Sequence, residues 1–188
     1  RYQEVTGVQT CALPICIYNN LGEIYNKMGN LNESIINYKK AIELQPTFWQ
    51  AYNNLSLVYE EKGDIKPAIK FCQKSINIEP NNPHAYNNLG VLYFKLKNYG
   101  KALEKIQKAI KLKSNFIVAY NNLGNVFQEM EDYNKAIYYY ELALDDQTES
   151  SVIHNNIGMA QNLIGNYHKS IHHRKLAVKL DPNSVNFL

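Results

Sequence analysis

Residues 85–90 read Ala85-Tyr86-Asn87-Asn88-Leu89-Gly90, or AYNNLG. The same six letters return at 119–124, and again at 51–56 with Ser56 in the last place. Variants open at Ile17 (IYNNLG) and Ile153 (IHNNIG). The starts at 17, 51, 85, 119 and 153 are 34 residues apart without slippage. A fixed period of roughly 20–50 residues marks a repeat architecture, whose units bury their apolar faces only by stacking.

Counting each repeat from two residues before the motif puts its leucine at position 7 and the repeat origins at Ile15, Trp49, Pro83, Ile117 and Ser151. In the second repeat Tyr52, Leu55 and Tyr59 are spaced i, i+3, i+7, which predicts one face of a first helix, A. Gly63-Asp64 breaks the pattern as a turn does. Ala68, Phe71, Cys72, Ser75 and Ile76 continue it on a second helix, B, which Pro80 ends before the Asn81-Asn82 connector. The expected fold is an all-α superhelical solenoid of five helix-turn-helix repeats over residues 17–188.

On these residues the chain resembles the tetratricopeptide repeat (TPR) family. The first repeat carries Tyr18, Leu21, Gly22, Tyr25, Ser34, Tyr38, Ala41 and Pro46 at the family's positions 4, 7, 8, 11, 20, 24, 27 and 32. The third has Tyr86, Leu89, Gly90, Tyr93, Ala102 and Ala109, with Ile106 at 24 and Ser114 at 32. The fourth has Tyr120, Leu123, Gly124, Phe127, Ala136, Tyr140 and Ala143, with Thr148 at 32. Small residues at 8, 20 and 27 let helices A and B approach closely, and the aromatics at 4, 11 and 24 fill the gaps. The fifth repeat departs, with His154, Gln161 and Arg174 where most of the others are aromatic. Three polar groups in one seam either bond one another or loosen it, because an unpaired buried group costs about 1–3 kcal/mol. Its connector, 145–151, lacks the Leu and Pro punctuation, and Val185-Asn186-Phe187-Leu188 reads as the start of a truncated sixth repeat, leaving the array open at both ends.

Val5 to Ile15 reads VTGVQTCALPI, which corresponds codon by codon, in one frame, to a sequencing-library adapter. Residues 1–16 are therefore set aside as adapter-derived or disordered. On that reading Cys11 and Cys16 carry no chemistry, and Cys72 sits inside a helix pattern as a core residue. Three cysteines give no disulfide framework. Net charge is +3, too small to point to nucleic acid, and no apolar run approaches the roughly 18 residues of a membrane span. The 18 lysines against 2 arginines, with 25 asparagines and 18 isoleucines, match an AT-rich coding sequence. The compartment stays open, with the cytoplasm as the expectation.

Asparagine occupies positions 5 and 6 of every repeat: Asn19-Asn20, Asn53-Asn54, Asn87-Asn88, Asn121-Asn122 and Asn155-Asn156. Each is several tenths of a kcal/mol worse than Ala in a helix. The TPR resemblance implies that helix A lines a concave surface, where these amides would form a ladder offering donors and acceptors to the backbone of an extended peptide. Similar ladders occur in the TPR regions of O-linked N-acetylglucosamine transferases and kinesin light chains. The plainer reading is that the asparagines hydrogen-bond within or between repeats. At the variable positions 9 and 12, Leu57, Val91, Phe94 and Met159 are the candidates for apolar pockets, unless they pack between repeats, and Asn125 is a further candidate peptide contact. The Lys/Arg carboxylate clamp of some TPRs is absent, since position 2 holds Cys16, Gln50, His84, Val118 and Val152.

The lysines fall mostly on B helices and Glu23, Glu60, Glu61 and Glu129 on A helices, so no basic track for nucleic acid is expected. His168 and His172 stand at i, i+4 beside His173, a spacing able to hold a metal ion. No third ligand accompanies them, and a surface cluster is the expectation. No catalytic constellation and no cofactor site is legible. The reading is a non-enzymatic scaffold that binds a protein or peptide, with neither nucleic acid nor membrane as partner and an open oligomeric state. The alternative is the substrate-selecting arm of a larger enzyme, such as a glycosyltransferase resembling O-linked N-acetylglucosamine transferase. A self-assembly module is a third reading, which open ends alone do not support.

Overall fold

The computed structural model describes residues 13–144 and 150–183. Among the described residues are ten helices: α1 (Leu13–Lys27), α2 (Leu31–Leu44), α3 (Trp49–Glu61), α4 (Ile65–Ile78), α5 (Pro83–Lys95), α6 (Tyr99–Leu112), α7 (Ile117–Glu129), α8 (Tyr133–Leu142), α9 (Ser151–Leu163) and α10 (Tyr167–Leu180). Odd-numbered helices are the A helices of the 34-residue repeat and even-numbered ones the B helices. The chain divides into two compact units, Arg1–Pro80 and Asn81–Leu188. In the first, α1 packs on α2, α2 on α3 and α3 on α4. In the second, each helix from α5 to α10 packs on the next in the same way.

The turn between A and B is one device used five times. Position 15 has positive φ in every repeat: 75° at Gly29, 85° at Gly63, 56° at Lys97, 61° at Glu131 and 78° at Gly165. This left-handed residue lets the next N–H reach back five residues to the A helix. Asn30 N–H meets Tyr25 O at 2.9 Å, and Asp64, Asn98, Asp132 and Asn166 repeat the bond at 2.8–2.9 Å. The position-16 side chains of Asn98 and Asp132 then cap the B helix, accepting from the backbone of Lys101 and Lys135.

The A/B seam is set by an exchange of size between positions 8 and 24. A Cβ on Gly22 would lie 2.7 Å from the Tyr38 ring, and one on Gly124 would enter the Tyr140 ring. Gly90 meets Ile106 in the same manner. In the second repeat Ser56 stands in the glycine's place, and position 24 shrinks to the fully buried Cys72. The Ser56 hydroxyl donates to Ala68 O at 2.9 Å, as Ser34 donates to Gly22 O at 2.7 Å, so the polar seam atoms are satisfied. Position 23, which the sequence reading did not single out, stacks on position 11. Phe71 lies on Tyr59 at 5.3 Å and Tyr139 on Phe127 at 5.2 Å, both nearly parallel.

The fifth repeat is neither a single polar network nor a loose pair. His154 turns to His173, with Nδ1 to Nδ1 3.1 Å. Arg174 lays its aliphatic stem over Gly158, and Gln161 is buried with its Oε1 unpartnered. Ile157, Ala160 and Ala177 are fully buried around them, so packing is retained at a polar cost.

At the other end α1 begins at Leu13, before the start set by the motif, and Ile15 is buried with Ile35, Tyr38 and Leu55. Pro14, which has no N–H, is tolerated there because the first helical turn needs no backbone donor at that position. The fold thus uses residues 13–16 of the segment set aside as adapter-derived. Val5–Ala12, the connector 145–149 and Val185–Leu188 lie outside the described residues. No helix among the described residues is long and apolar enough to cross a membrane.

Candidate functional site

The repeated asparagines bond first to one another. Asn54 Nδ2 donates to Asn19 Oδ1 at 3.2 Å in the first unit. In the second, Asn122 donates to Asn87 at 2.9 Å and Asn156 to Asn121 at 3.3 Å. In each rung position 6 of one repeat donates to position 5 of the repeat before it. Neighbouring positions on a helix differ by about 100°, so 5 and 6 address opposite neighbours in a stack. This is the inter-repeat bonding of the plainer reading, and it explains why a poor helix former recurs mid-helix. Asn53 and Asn88 are also engaged.

A rung does not exhaust the amides. A carboxamide carries two N–H donors and an oxygen with two lone pairs. Each rung uses one donor of position 6 and one lone pair of position 5. A rung by itself leaves over the oxygen of position 6 and the second donors. Most of these residues are half-buried; Asn87 and Asn155 are buried and Asn20 is exposed. Asn155 departs from the pattern, since its Nδ2 lies 3.6 Å from Met159 Sδ and its Oδ1 has no partner.

Of the expected pocket residues, Leu57 is exposed on α3, whereas Val91 and Phe94 are half-buried on α5. The Phe94 ring stands 6.0 Å from Tyr99 of α6, so it packs on the B helix in part. Asn125 is held from below. The fully buried Tyr140 passes under Gly124 and its hydroxyl meets Asn125 Oδ1 at 2.9 Å and Gln128 Oε1 at 3.2 Å. Burial, then the charge of Glu129, raises the Tyr140 pKa, so the hydroxyl stays a donor. Burial and Glu23 push Tyr38, its counterpart in α2, up to about 12. The sequence reading took position 24 as filler. The legible signal was a tyrosine there, opposite glycine at 8, with amides at 9 and 12.

Residues 22–63 and 58–97 match the family described as TPR repeat, and residues 83–149 the family described as tetratricopeptide repeat. The chain belongs to the tetratricopeptide repeat family. Solved structures share the fold. A MamA structure is 24% identical, with 92% of this chain and 94% of that one covered, at a TM-score of 0.73. MamA 41-end from Desulfovibrio magneticus RS-1 is 18% identical, covering 93% and 98%, at 0.77. YrrB, described as a TPR protein with an unusual peptide-binding site, is 21% identical, covering 90% and 88%, at 0.68. No curated protein matches the chain.

The TPR lysines serve the aromatic seams. Lys40 and Lys74 sit over the position-4 rings of Tyr18 and Tyr52, and Lys101 and Lys135 over the position-11 rings of Tyr93 and Phe127, at 5.3–5.6 Å. At position 2, His84 meets the edge of Phe116 at 4.8 Å, and burial with nearby Lys113 holds its pKa below the usual histidine value. Among the described residues no three His, Cys, Asp or Glu side chains are placed to hold a metal ion. His173 pairs with His154 rather than completing a set with His168 and His172.

Proposed function

We propose that the A-helix face of this TPR protein binds an extended polypeptide through its asparagine rungs. The observation that carries this reading is the residual capacity of each rung, an oxygen from position 6 and the second donors of the amides, repeated at the same place in successive repeats. Extended backbone offers N–H and C=O groups in alternation and is read this way without regard to its side chains. A-helix spacing on the order of 10 Å corresponds to about three extended residues per rung. Asn19, Asn20, Asn53 and Asn54 supply the first unit. Asn87, Asn88, Asn121, Asn122, Asn155 and Asn156 supply the second. Leu57, Val91 and Phe94 would admit apolar side chains, and Asn125, held by Tyr140, would present a fixed amide. The peptide-binding site described for YrrB is in keeping with this use of the fold. The same ladder would also suit a substrate-selecting arm of a larger enzyme, such as an O-linked N-acetylglucosamine transferase-like glycosyltransferase; in either case the array binds and does not catalyse.

The test is a screen of an unbiased peptide library by fluorescence anisotropy, followed by N-methylation of each backbone nitrogen in a binding peptide. Loss of affinity at every third residue or so is expected. Affinity that follows side chains and ignores N-methylation would overturn backbone recognition, and a library without binders would overturn the proposal altogether.

A further inference from the structure

The Tyr140 hydroxyl has one proton to give and two oxygens before it, Asn125 Oδ1 at 2.9 Å and Gln128 Oε1 at 3.2 Å. It holds that proton at neutral pH, since burial and the charge of Glu129 raise its pKa. The shorter contact takes the proton. A second oxygen at 3.2 Å would then set lone pair against lone pair. Turning the Gln128 carboxamide end for end exchanges two atoms of nearly equal size. Its N–H then meets the hydroxyl oxygen, and Tyr140 makes two full bonds.

The outer ends of the two amides are then of opposite kind. Asn125, its oxygen held from below, shows its Nδ2 hydrogens, and Gln128, its nitrogen held, shows Oε1. Both residues are half-buried on α7, and three residues apart they share one side of the helix. Their inner ends are tied to a single hydroxyl and so lie within about 6 Å of each other. Neither has a further side-chain bond among the described residues. The arrangement occurs once in the array. Tyr38 also holds position 24, but positions 9 and 12 there are Glu23, which takes Lys27 at 2.6 Å, and Asn26, whose Oδ1 is buried without a partner. The second, third and fifth repeats have Cys72, Ile106 and Arg174 at position 24.

We infer that Asn125 and Gln128, poised by Tyr140, form a subsite that reads one carboxamide side chain, glutamine or asparagine, of the bound polypeptide. Such a subsite presupposes the peptide-binding reading above and adds one side-chain preference to it. A trans peptide group directs its N–H and C=O to opposite sides, so ligand backbone meets only one of the two outer ends at a time. A primary carboxamide carries its oxygen and its N–H groups on one edge and meets both. A carboxylate has no hydrogen for Gln128 Oε1; to receive it, Gln128 turns back and gives up its bond to Tyr140. Methionine, similar in length to glutamine, leaves both outer ends unpaired. Tyr140 is fully buried and meets no ligand itself, so it is a positioning residue.

The experiment uses the full chain and a peptide selected from the unbiased library, with Gln, Glu and Met placed in turn at each peptide position and affinities read by fluorescence anisotropy. One position is expected to favour Gln over both Glu and Met by about five- to tenfold, the effect of one or two hydrogen bonds. Tyr140→Phe keeps the ring beside Gly124 but frees both amides to turn, so the preference for Gln over Glu should fall to within about twofold. A loss of packing alone would weaken all three peptides together and leave their ratio unchanged. Gln128→Met removes the outer acceptor and should cancel the same preference; it carries the test should the phenylalanine unfold the chain. Glu129, exposed on the same helix, repels a glutamate in parent and variant alike. A preference that survives Tyr140→Phe therefore traces to that charge and overturns the inference. A binding peptide with no position that favours Gln overturns it too, while leaving backbone recognition standing. A library without binders overturns both.

Discussion

Asn122 donates its side-chain amide to Asn87 Oδ1 at 2.9 Å, from one A helix to the A helix before it. Asn87 is buried, so Asn122→Ala strands an acceptor. The lost bond costs about 0.5–1.5 kcal/mol and a stranded group up to about 3, against several tenths gained in helix propensity. We expect a net loss of about 1 kcal/mol in a denaturant melt. Asn122→Asp keeps the shape but has no N–H to give, and should lose at least as much. An unchanged midpoint in both variants would show that the rungs add nothing to stability and serve only a ligand.

Gly124 has no room for a methyl group, since its Cβ would enter the Tyr140 ring. Gly124→Ala should cost about 1–3 kcal/mol through overpacking. Lys108→Leu on the exposed side of α6 is the control, with an effect within about 0.5 kcal/mol. Equal effects in urea unfolding would mean that the seam is not where the 8/24 exchange puts it.

Lys97 and Glu131 occupy the left-handed turn position that glycine holds in the other repeats. A side chain there costs roughly 1–2 kcal/mol, part of which glycine returns through the entropy of the unfolded chain. Lys97→Gly and Glu131→Gly should each raise stability by about 0.5–1 kcal/mol, read as a higher thermal midpoint. Gly63→Ala should move it the other way.

His154 and His173 face each other through Nδ1 atoms 3.1 Å apart, a contact that holds one proton and not two. Burial, with His154, His172 and Lys169 after it, holds the His173 pKa below its ordinary 6.5, and His84 shifts in the same direction. The folded chain therefore binds fewer protons than the unfolded one just below pH 6.5, and stability rises with pH across that window. The contribution is fully present above about 6.5 and is lost as the pH falls. We expect a lower urea midpoint at about pH 5.5 than at about 7.5, and a smaller difference in His173→Gln. Keeping above about pH 5 leaves Glu104 and Asp132 ionised, their carboxyls held low by hydrogen bonds from Lys105 and Lys135. An identical pH dependence in His173→Gln would remove the histidine pair as its source.

The period of 34, the Gly63-Asp64 break and the small residues at 8, 20 and 27 were enough to give the order and pairing of the helices, because each is a local requirement repeated in register. The asparagine pairs were visible as ten residues, but not their bonding, since a rung joins residues 35 positions apart and only the stacking of A helices brings them together. Tertiary structure also turned position 24 from filler into a hydroxyl that reaches Asn125, and gave His154 to His173 across 19 residues instead of to Gln161 or Arg174. It placed the start of the first helix at Leu13, because burial of Ile15 depends on contacts with α2 and α3 that lie far along the chain. Sequence alone determined the repeat and its turns, whose causes lie within a few residues. The rungs and the polar seam depend on which repeat lies beside which, and that is a property of the stack.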